Sequence, residues 1–365
     1  VIHPEIASRR LLHQRISYGR FDKPEQVVRH LGAMQAQDYH QVLWAIGVRM
    51  QHAVIGDIEQ SIAHRQIVLT WPMRGTIHCV PPEDVRWMLK LLSPRILAKD
   101  KRRLEQLELT TDMIERCKQL AIDALQGGRR MTRPDLMQVF EEAGISTTGQ
   151  RGYHLLWHIA QAGLICMGPR EGKQQTFVLL DEWVPLAKEI PPEEALALLT
   201  ERYFRGHGPA TVQDLAWWTG LTLTDARKGV EAARNRLISE TIAGRVYWRA
   251  SAEQSGDAVV QSGAYLLPGF DEYFLGYQDR TAVVSAEHAR FIVPGNNGVF
   301  MPIIVVDGQV AGIWKRSITS KGIDIIMHLF YANPGRRDEL MNAAAKYGEF
   351  MGLPLTSTDI QVMDL

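Results

Sequence analysis

Apolar residues recur at helical spacing along much of the first 250 positions and then give way to alternation and frequent turns. The clearest unit runs from about 118 to 182. Thr132 can cap a helix with Pro134 in its first turn and Leu136, Met137, Val139 and Phe140 on its apolar side, stopped by Gly144. A second helix with the stripe Tyr153, Leu156, Trp157 and Ile159 ends near Gly163. Behind it, apolar runs at Leu164 to Met167 and Thr176 to Leu180 flank a polar turn. Helix, turn, helix and two-stranded wing is the winged-helix order. It returns between about 193 and 250, where Thr211 to Thr219 and Thr224 to Leu237 read as helices before a hairpin turning at Ala243-Gly244. A weaker copy occupies 5 to 82, with helices at Pro24 to Met34, Tyr39 to Met50 and Ile55 to His64, and a strand pair broken near Pro72 to Gly75. Residues 83 to 117 read as one long amphipathic connector. Residues 281 to 314 carry hairpin signals at Pro294 to Gly298 and Val306 to Gln309, which predict a small β-barrel or curled sheet, and Asp338 to Phe350 predicts a last helix. The expected fold is therefore α+β: three tandem winged-helix (helix-turn-helix) units, 1–117 with the connector, 118–190 and 191–255, and then a C-terminal β-barrel over 256–365.

Composition adds constraints. No apolar run approaches the ~18 residues that span a bilayer, and no basic segment followed by an apolar one opens the chain, so a cytoplasmic protein is expected. Cys79, Cys117 and Cys166 are far apart and in no CxxC spacing, which implies neither a disulfide framework nor a structural zinc site. The 41 basic residues match the 41 acidic ones, which argues against a nucleic-acid binder until their distribution is seen. Residues 1–133 hold 21 Lys and Arg against 14 Asp and Glu, and the remainder hold 20 against 27. The densest basic stretch, Arg86, Lys90, Arg95, Lys99, Lys101, Arg102 and Arg103, suits DNA phosphates; an ordinary solvated helix face is the other reading.

Three segments carry candidate chemistry: Met34-Gln35-Ala36-Gln37-Asp38, Arg74-Gly75-Thr76-Ile77-His78, and Leu267-Pro268-Gly269-Phe270-Asp271-Glu272-Tyr273 followed by Leu275 to Arg280. In order and spacing the chain resembles the AlkZ/YcaQ-like winged-helix DNA glycosylases, and with Gln37 it is similar to the Gln-x-Gln, AlkZ-like branch. The resemblance implies tandem winged helices and a barrel in a C-shaped arrangement. It also implies a monofunctional glycosylase that excises cationic alkylated purines and unhooks interstrand cross-links in double-stranded DNA. No cofactor, metal, membrane or obligate protein partner is implied, and the place of work would be the cytoplasmic nucleoid. A purine alkylated at N7 is already a good leaving group, so the enzyme must chiefly stabilise an oxocarbenium-like sugar and hold a water. Gln35 and Gln37, the expected catalytic pair, offer amide carbonyl acceptors and NH2 donors for this. In a regular helix they would point about 200° apart, so joint action needs the helix to end there.

Asp38, Thr76 and His78 are candidate lining residues, Asp38 as a carboxylate that could activate the water, although it also reads as a helix cap and the other two as packed strand residues. Expected DNA contacts are Arg74, Arg86, Arg95, Lys99, Lys101, Arg102 and Arg103, together with Asn296 and Asn297 in a turn able to enter the minor groove. His154 and His158 stand at i,i+4, but Leu155 occupies the place of the glutamate in HExxH, which disfavours a zinc hydrolase. Asp271, Glu272, Asp279 and Arg280 read as ion-pair and turn residues, with catalytic or metal-ligating roles as the other reading, and Trp217-Trp218 as core, with base stacking as the other reading. The rival to the enzyme is a non-catalytic winged-helix DNA-binding protein, either a transcription regulator or a lesion sensor.

Overall fold

The computed structural model describes residues 3–185, 189–251 and 263–363. The chain forms two compact units, Val1–Ile58 with Ala197–Leu365, and Glu59–Leu196.

In the first unit α1 (Pro4–His13) and α2 (Pro24–Leu31) each begin on a proline, whose missing N–H leaves nothing unpaired in a first turn. The helix expected to reach Met34 stops at Leu31, because Gly32 takes the left-handed φ of +82° that ends helices. Met34–Gln35 is extended (β1), and the Asp38 side chain accepts the Gln41 N–H at 3.2 Å to start α3 (Tyr39–Gly47). Helix α4 (Ile55–Ala63) carries the chain onward.

The second unit opens with the hairpin of β2 (Val68–Met73) and β3 (Thr76–Val80). Its turn residues Arg74 and Gly75 both have positive φ, 52° and 70°, the pair that matches strand twist. The connector is not one helix but three: α5 (Val85–Ala98), α6 (Lys101–Gln106) and α7 (Thr111–Leu125). Thr110 is a hydroxyl cap that restarts the third, accepting the Met113 N–H. Then follow β4 (Met131–Thr132), α8 (Arg133–Glu142) with a reciprocal Thr132–Asp135 cap, α9 (Arg151–Gln161), the hairpin β5 (Ile165–Glu171) and β6 (Gln174–Leu179), and the short α10 (Leu180–Trp183). Strands within this unit run β3-β2-β5-β6-β4, so the two hairpins share one sheet, joined where Leu69 faces Met167. Trp71 lies parallel to Phe177 in the core beneath it.

The chain re-enters the first unit along α11 (Pro192–His207). It continues through α12 (Val212–Thr219), capped by Thr211 and ended by Gly220, and α13 (Leu223–Ala232), capped by Thr222. The last of these is shorter than expected, since a 3-10 turn at Arg234–Arg236 leads straight into the hairpin β7 (Leu237–Ile242) and β8 (Arg245–Ala250). Its turn is the expected Ala243-Gly244, both at positive φ.

Beyond it come β9 (Ala264–Leu267), α14 (Glu272–Leu275), α15 (Ala286–Ile292), β10 (Ile303–Val306), β11 (Gln309–Thr319), β12 (Gly322–Leu329), α16 (Arg337–Met351) and β13 (Leu355–Val362). Among the described residues these strands make an open sheet, β13-β12-β11-β10-β9, and not a closed barrel: β9 and β13 lie at opposite edges. Helix α16 returns the chain so that β13 joins β12 in parallel. Asp307-Gly308 turns the β10–β11 hairpin as expected, whereas Pro294 to Gly298 is only a turn after α15. Trp44, Trp314, Tyr347 and Phe350 pack α3 and α16 onto this sheet, and the two indoles donate to the Leu266 and Leu267 carbonyls at 2.7 and 2.8 Å.

The three cysteines are free and buried, and burial pushes the Cys79 thiol up to about 12 and Cys117 to about 11. No helix of the described residues is long and apolar enough to cross a membrane.

Candidate active site

The Gln35–Gln37 segment lies between two helix ends, Gly32 closing α2 and Asp38 opening α3, so the helix break that joint action of the two amides requires is present. Gln35 and Ala36 are buried, while Gln37 and Asp38 are exposed. Asp38 serves as the cap of α3, the plainer of its two readings.

What holds the segment is a buried carboxylate. Glu272, 1% exposed, accepts the Gln35 backbone N–H on Oε1 at 2.9 Å. Its Oε2 accepts from the Trp218 indole at 2.8 Å and faces His207 Nε2 at 3.2 Å. A buried carboxylate is tolerated only when its lone pairs are met, and Glu272 has a donor on each oxygen. His207 is stacked on Tyr203, centroids 4.7 Å apart and planes within 12°. Glu272 is in turn placed by its neighbour. Asp271 caps α14 through the Tyr273 N–H at 2.8 Å and takes both Arg49 terminal nitrogens, at 2.9 and 2.8 Å. Arg49 is also satisfied by Gln14 Oε1 at 2.6 Å and by the Ala45 carbonyl at 2.6 Å. This bidentate geometry makes the arginine, and not a lysine, the matching partner.

Two glycines permit the approach. A Cβ on Gly206 would come within 2.9 Å of Leu31 Cα, so α11 reaches the end of α2 only without a side chain there. A Cβ on Gly269 would lie 2.6 Å from the Phe300 carbonyl; its N–H donates to Gln41 Oε1 at 3.0 Å, tying the Leu267–Tyr273 loop to α3.

Arg74, Thr76 and His78 belong to the second unit, on the β2–β3 hairpin. His78 is buried, with Nδ1–H donating to the Thr76 carbonyl at 2.9 Å, which leaves Nε2 to accept from the Arg74 guanidinium at 3.3 Å. Trp157 donates to the Gly75 carbonyl at 3.1 Å and braces the turn.

Of the basic stretch in this unit, Lys99, Lys101 and Arg102 are exposed. Arg86 is engaged by Asp181 and the Val184 carbonyl, Lys90 by Glu189 at 3.6 Å, and Arg103 by Gln106 and Gln150; Arg95 is half-buried. In the first unit, Asn297 accepts the Val299 N–H within its turn, and the Asn296 side chain lies outside what is described.

The model of the AlkZ-like DNA glycosylase family matches residues 28–350. The chain belongs to that family. Its members' chemistry makes it a hydrolase of the N-glycosidic bond in DNA. A Streptomyces sahachiroi protein named interstrand DNA cross-link repair glycosylase is 26% identical over 309 residues, covering 79% of this chain and 81% of its own. The solved structure of Streptomyces sahachiroi DNA glycosylase AlkZ has the same fold, with a TM-score of 0.83 at 21% identity and 99% of both chains covered.

Within this glycosylase, the sequence points to the glutamines but not to their support. Glu272 reads there as a turn or ion-pair residue, and nothing connects His207 and Trp218 with it. The one signal available is the pair of acids, Asp271 and Glu272, inside the otherwise apolar segment Phe270 to Leu275, where ionised groups need partners.

Proposed function

We propose that this glycosylase releases cationic alkylated purines from duplex DNA and unhooks interstrand cross-links, with Gln35 and Gln37 at the sugar. The observation that carries the reading is the split anchoring of the segment: Gln35 is fixed through its backbone by buried Glu272, while Gln37 stands exposed two residues on. A residue fixed through its backbone next to one with an exposed side chain suits the task, since holding a water and meeting a developing sugar cation is positioning work. Water adds to the sugar C1′ and gives up one proton to solvent as the base leaves with the bonding electrons; an N7-alkylated purine thereby departs neutral. The name of the Streptomyces relative supports cross-links as substrates.

For DNA binding, we read the three helix-helix-hairpin successions as winged helices. The divisions 1–117, 118–190, 191–255 and 256–365 are retained as functional modules. Lys99, Lys101 and Arg102 are the exposed cations proposed for phosphates, with Arg74, Arg86, Arg95 and Arg103 as contributors once freed from present partners, and Asn296 and Asn297 at a groove. Asp38, Thr76 and His78 are proposed as lining. A cytoplasmic, nucleoid-associated enzyme is the matching location.

The test is release of base from a duplex containing 7-methylguanine, and unhooking of a nitrogen-mustard cross-link. Gln37→Ala should slow release about 100-fold, the scale of one lost transition-state contact, with an unchanged melting temperature because the side chain is exposed. Full activity in that variant moves the site elsewhere. Binding without release from any alkylated duplex sinks the catalytic reading altogether.

A further inference from the structure

In the second unit, Asp100 stands at the cap position of α6, where an aspartate ordinarily turns its carboxylate onto the first free N–H groups of its own helix. It makes no such cap. Its Oδ2 lies instead 2.7 Å from His154 Nε2 and 3.0 Å from His158 Nε2. The two histidines are one turn apart on α9 and so leave the helix on one face. Trp157 stacks on His154, centroids 5.1 Å apart and planes within 21°, which fixes that ring. The three ligand atoms lie within 4.8 Å of one another, and their side chains are 11 to 13% exposed, enclosed yet reachable by an ion.

We propose that Asp100, His154 and His158 form a binding site for a divalent transition-metal ion of the zinc, cobalt or nickel class. Two imidazoles and one carboxylate are the donor set that borderline cations prefer over calcium or magnesium. An ion held at about 2.0–2.1 Å in tetrahedral geometry sets its ligands roughly 3.3 Å apart. The two separations from Asp100 therefore have to open by about 0.6 and 0.3 Å, within the reach of side-chain torsions. Without an ion, each imidazole gives its Nε2–H to Asp100. On binding, the ring proton resides on Nδ1 and the Nε2 lone pair faces the metal, while water completes the coordination. Nothing is oxidised and no group is transferred.

Leu155 stands where a hydrolase of the HExxH type has its glutamate, so the ion has no adjacent base from that motif and acts as a staple between α6 and α9. The charges of Lys99, Lys101 and Arg102 oppose the cation and weaken binding.

Untagged protein, stripped with a chelator, is titrated with Co2+ followed by its visible absorption, and with Zn2+ in competition and in thermal melts. One ion per chain is expected, with a zinc-dependent rise in melting temperature that chelator reverses. His154→Ala and His158→Ala should each weaken affinity at least tenfold. His158→Gln can keep a hydrogen bond to Asp100 while losing the imidazole ligand, so it should stay folded and lose the ion even where the alanine variants do not fold. No bound ion and no melting shift in the wild-type protein would mean a purely hydrogen-bonded cluster and overturn the proposal. Undiminished binding by His158→Gln would overturn it equally.

Discussion

Arg49 and Asp271 are both sealed from solvent, and each charge is tolerable only because the other is present. Removing one leaves the partner buried and uncompensated. Arg49→Met is expected to destabilise the folded state by about 3–5 kcal/mol, read as a lower denaturant midpoint; a loss below about 1 kcal/mol would mean that water reaches Asp271. The double variant with Asp271→Asn should lose less than the two single variants together, because the stranded charge is gone. Such pairs explain what could be read of the site from sequence. Gln35 and Gln37 stand out in the sequence through the motif around them, since by spacing alone they read as ordinary polar residues at a helix end; the break between Gly32 and Asp38 is observed, and their catalytic role is a proposal. Glu272 was not legible. Its partners Gln35, His207 and Trp218 lie 237, 65 and 54 positions away, and no local pattern encodes a meeting of that range.

Elements came through where their ends are written in local chemistry. Thr132 at the start of α8, the helix at Thr211 to Thr219, and Ala243-Gly244 between short strands match what is observed, whereas α13 ends five residues before the expected Leu237. The connector and the barrel did not, for opposite reasons. A continuous apolar stripe concealed breaks that depend on Asp100 turning to α9 and on Thr110, while alternation in the last hundred residues told of strands but not of their order. How elements approach one another is set by glycines that periodicity ignores. Gly206 sits within α11, where alanine is intrinsically better by about 1 kcal/mol. Its added methyl would nevertheless meet the Leu31 backbone at 2.9 Å, which cannot move like a flexible side chain. Gly206→Ala is therefore expected to destabilise by about 1–3 kcal/mol and to lower base release by shifting the end of α2 that precedes Gln35. Gly127, where an added methyl would meet open space but φ is +79°, is the control: its alanine variant should show backbone strain without loss of activity per folded molecule.

For the whole molecule, the balance of folded and unfolded chains should respond to mild acid through two buried histidines of the first unit. His30 Nε2–H donates to the His13 carbonyl at 2.6 Å. Burial, reinforced by neighbouring arginines, lowers His13 from 6.5 to about 4, and burial likewise lowers His30 to about 3. Both are thus neutral when folded at pH values where the unfolded chain binds protons on them. As pH falls below 6.5 the unfolded state takes up two protons that the folded state refuses, so stability present above 6.5 is lost progressively until about 4 for His13 and 3 for His30, and below those values these groups cause no further loss. Each contributes a slope of about 1.4 kcal/mol per pH unit. Between about pH 6.5 and 5.0 the pair should remove about 3 kcal/mol, a window above the ordinary range of carboxylates. Urea unfolding at closely spaced pH values measures the slope. Replacing His13 with Gln should roughly halve it, whatever that change does to stability at neutral pH. A slope unchanged by that replacement would assign the acid sensitivity to other groups.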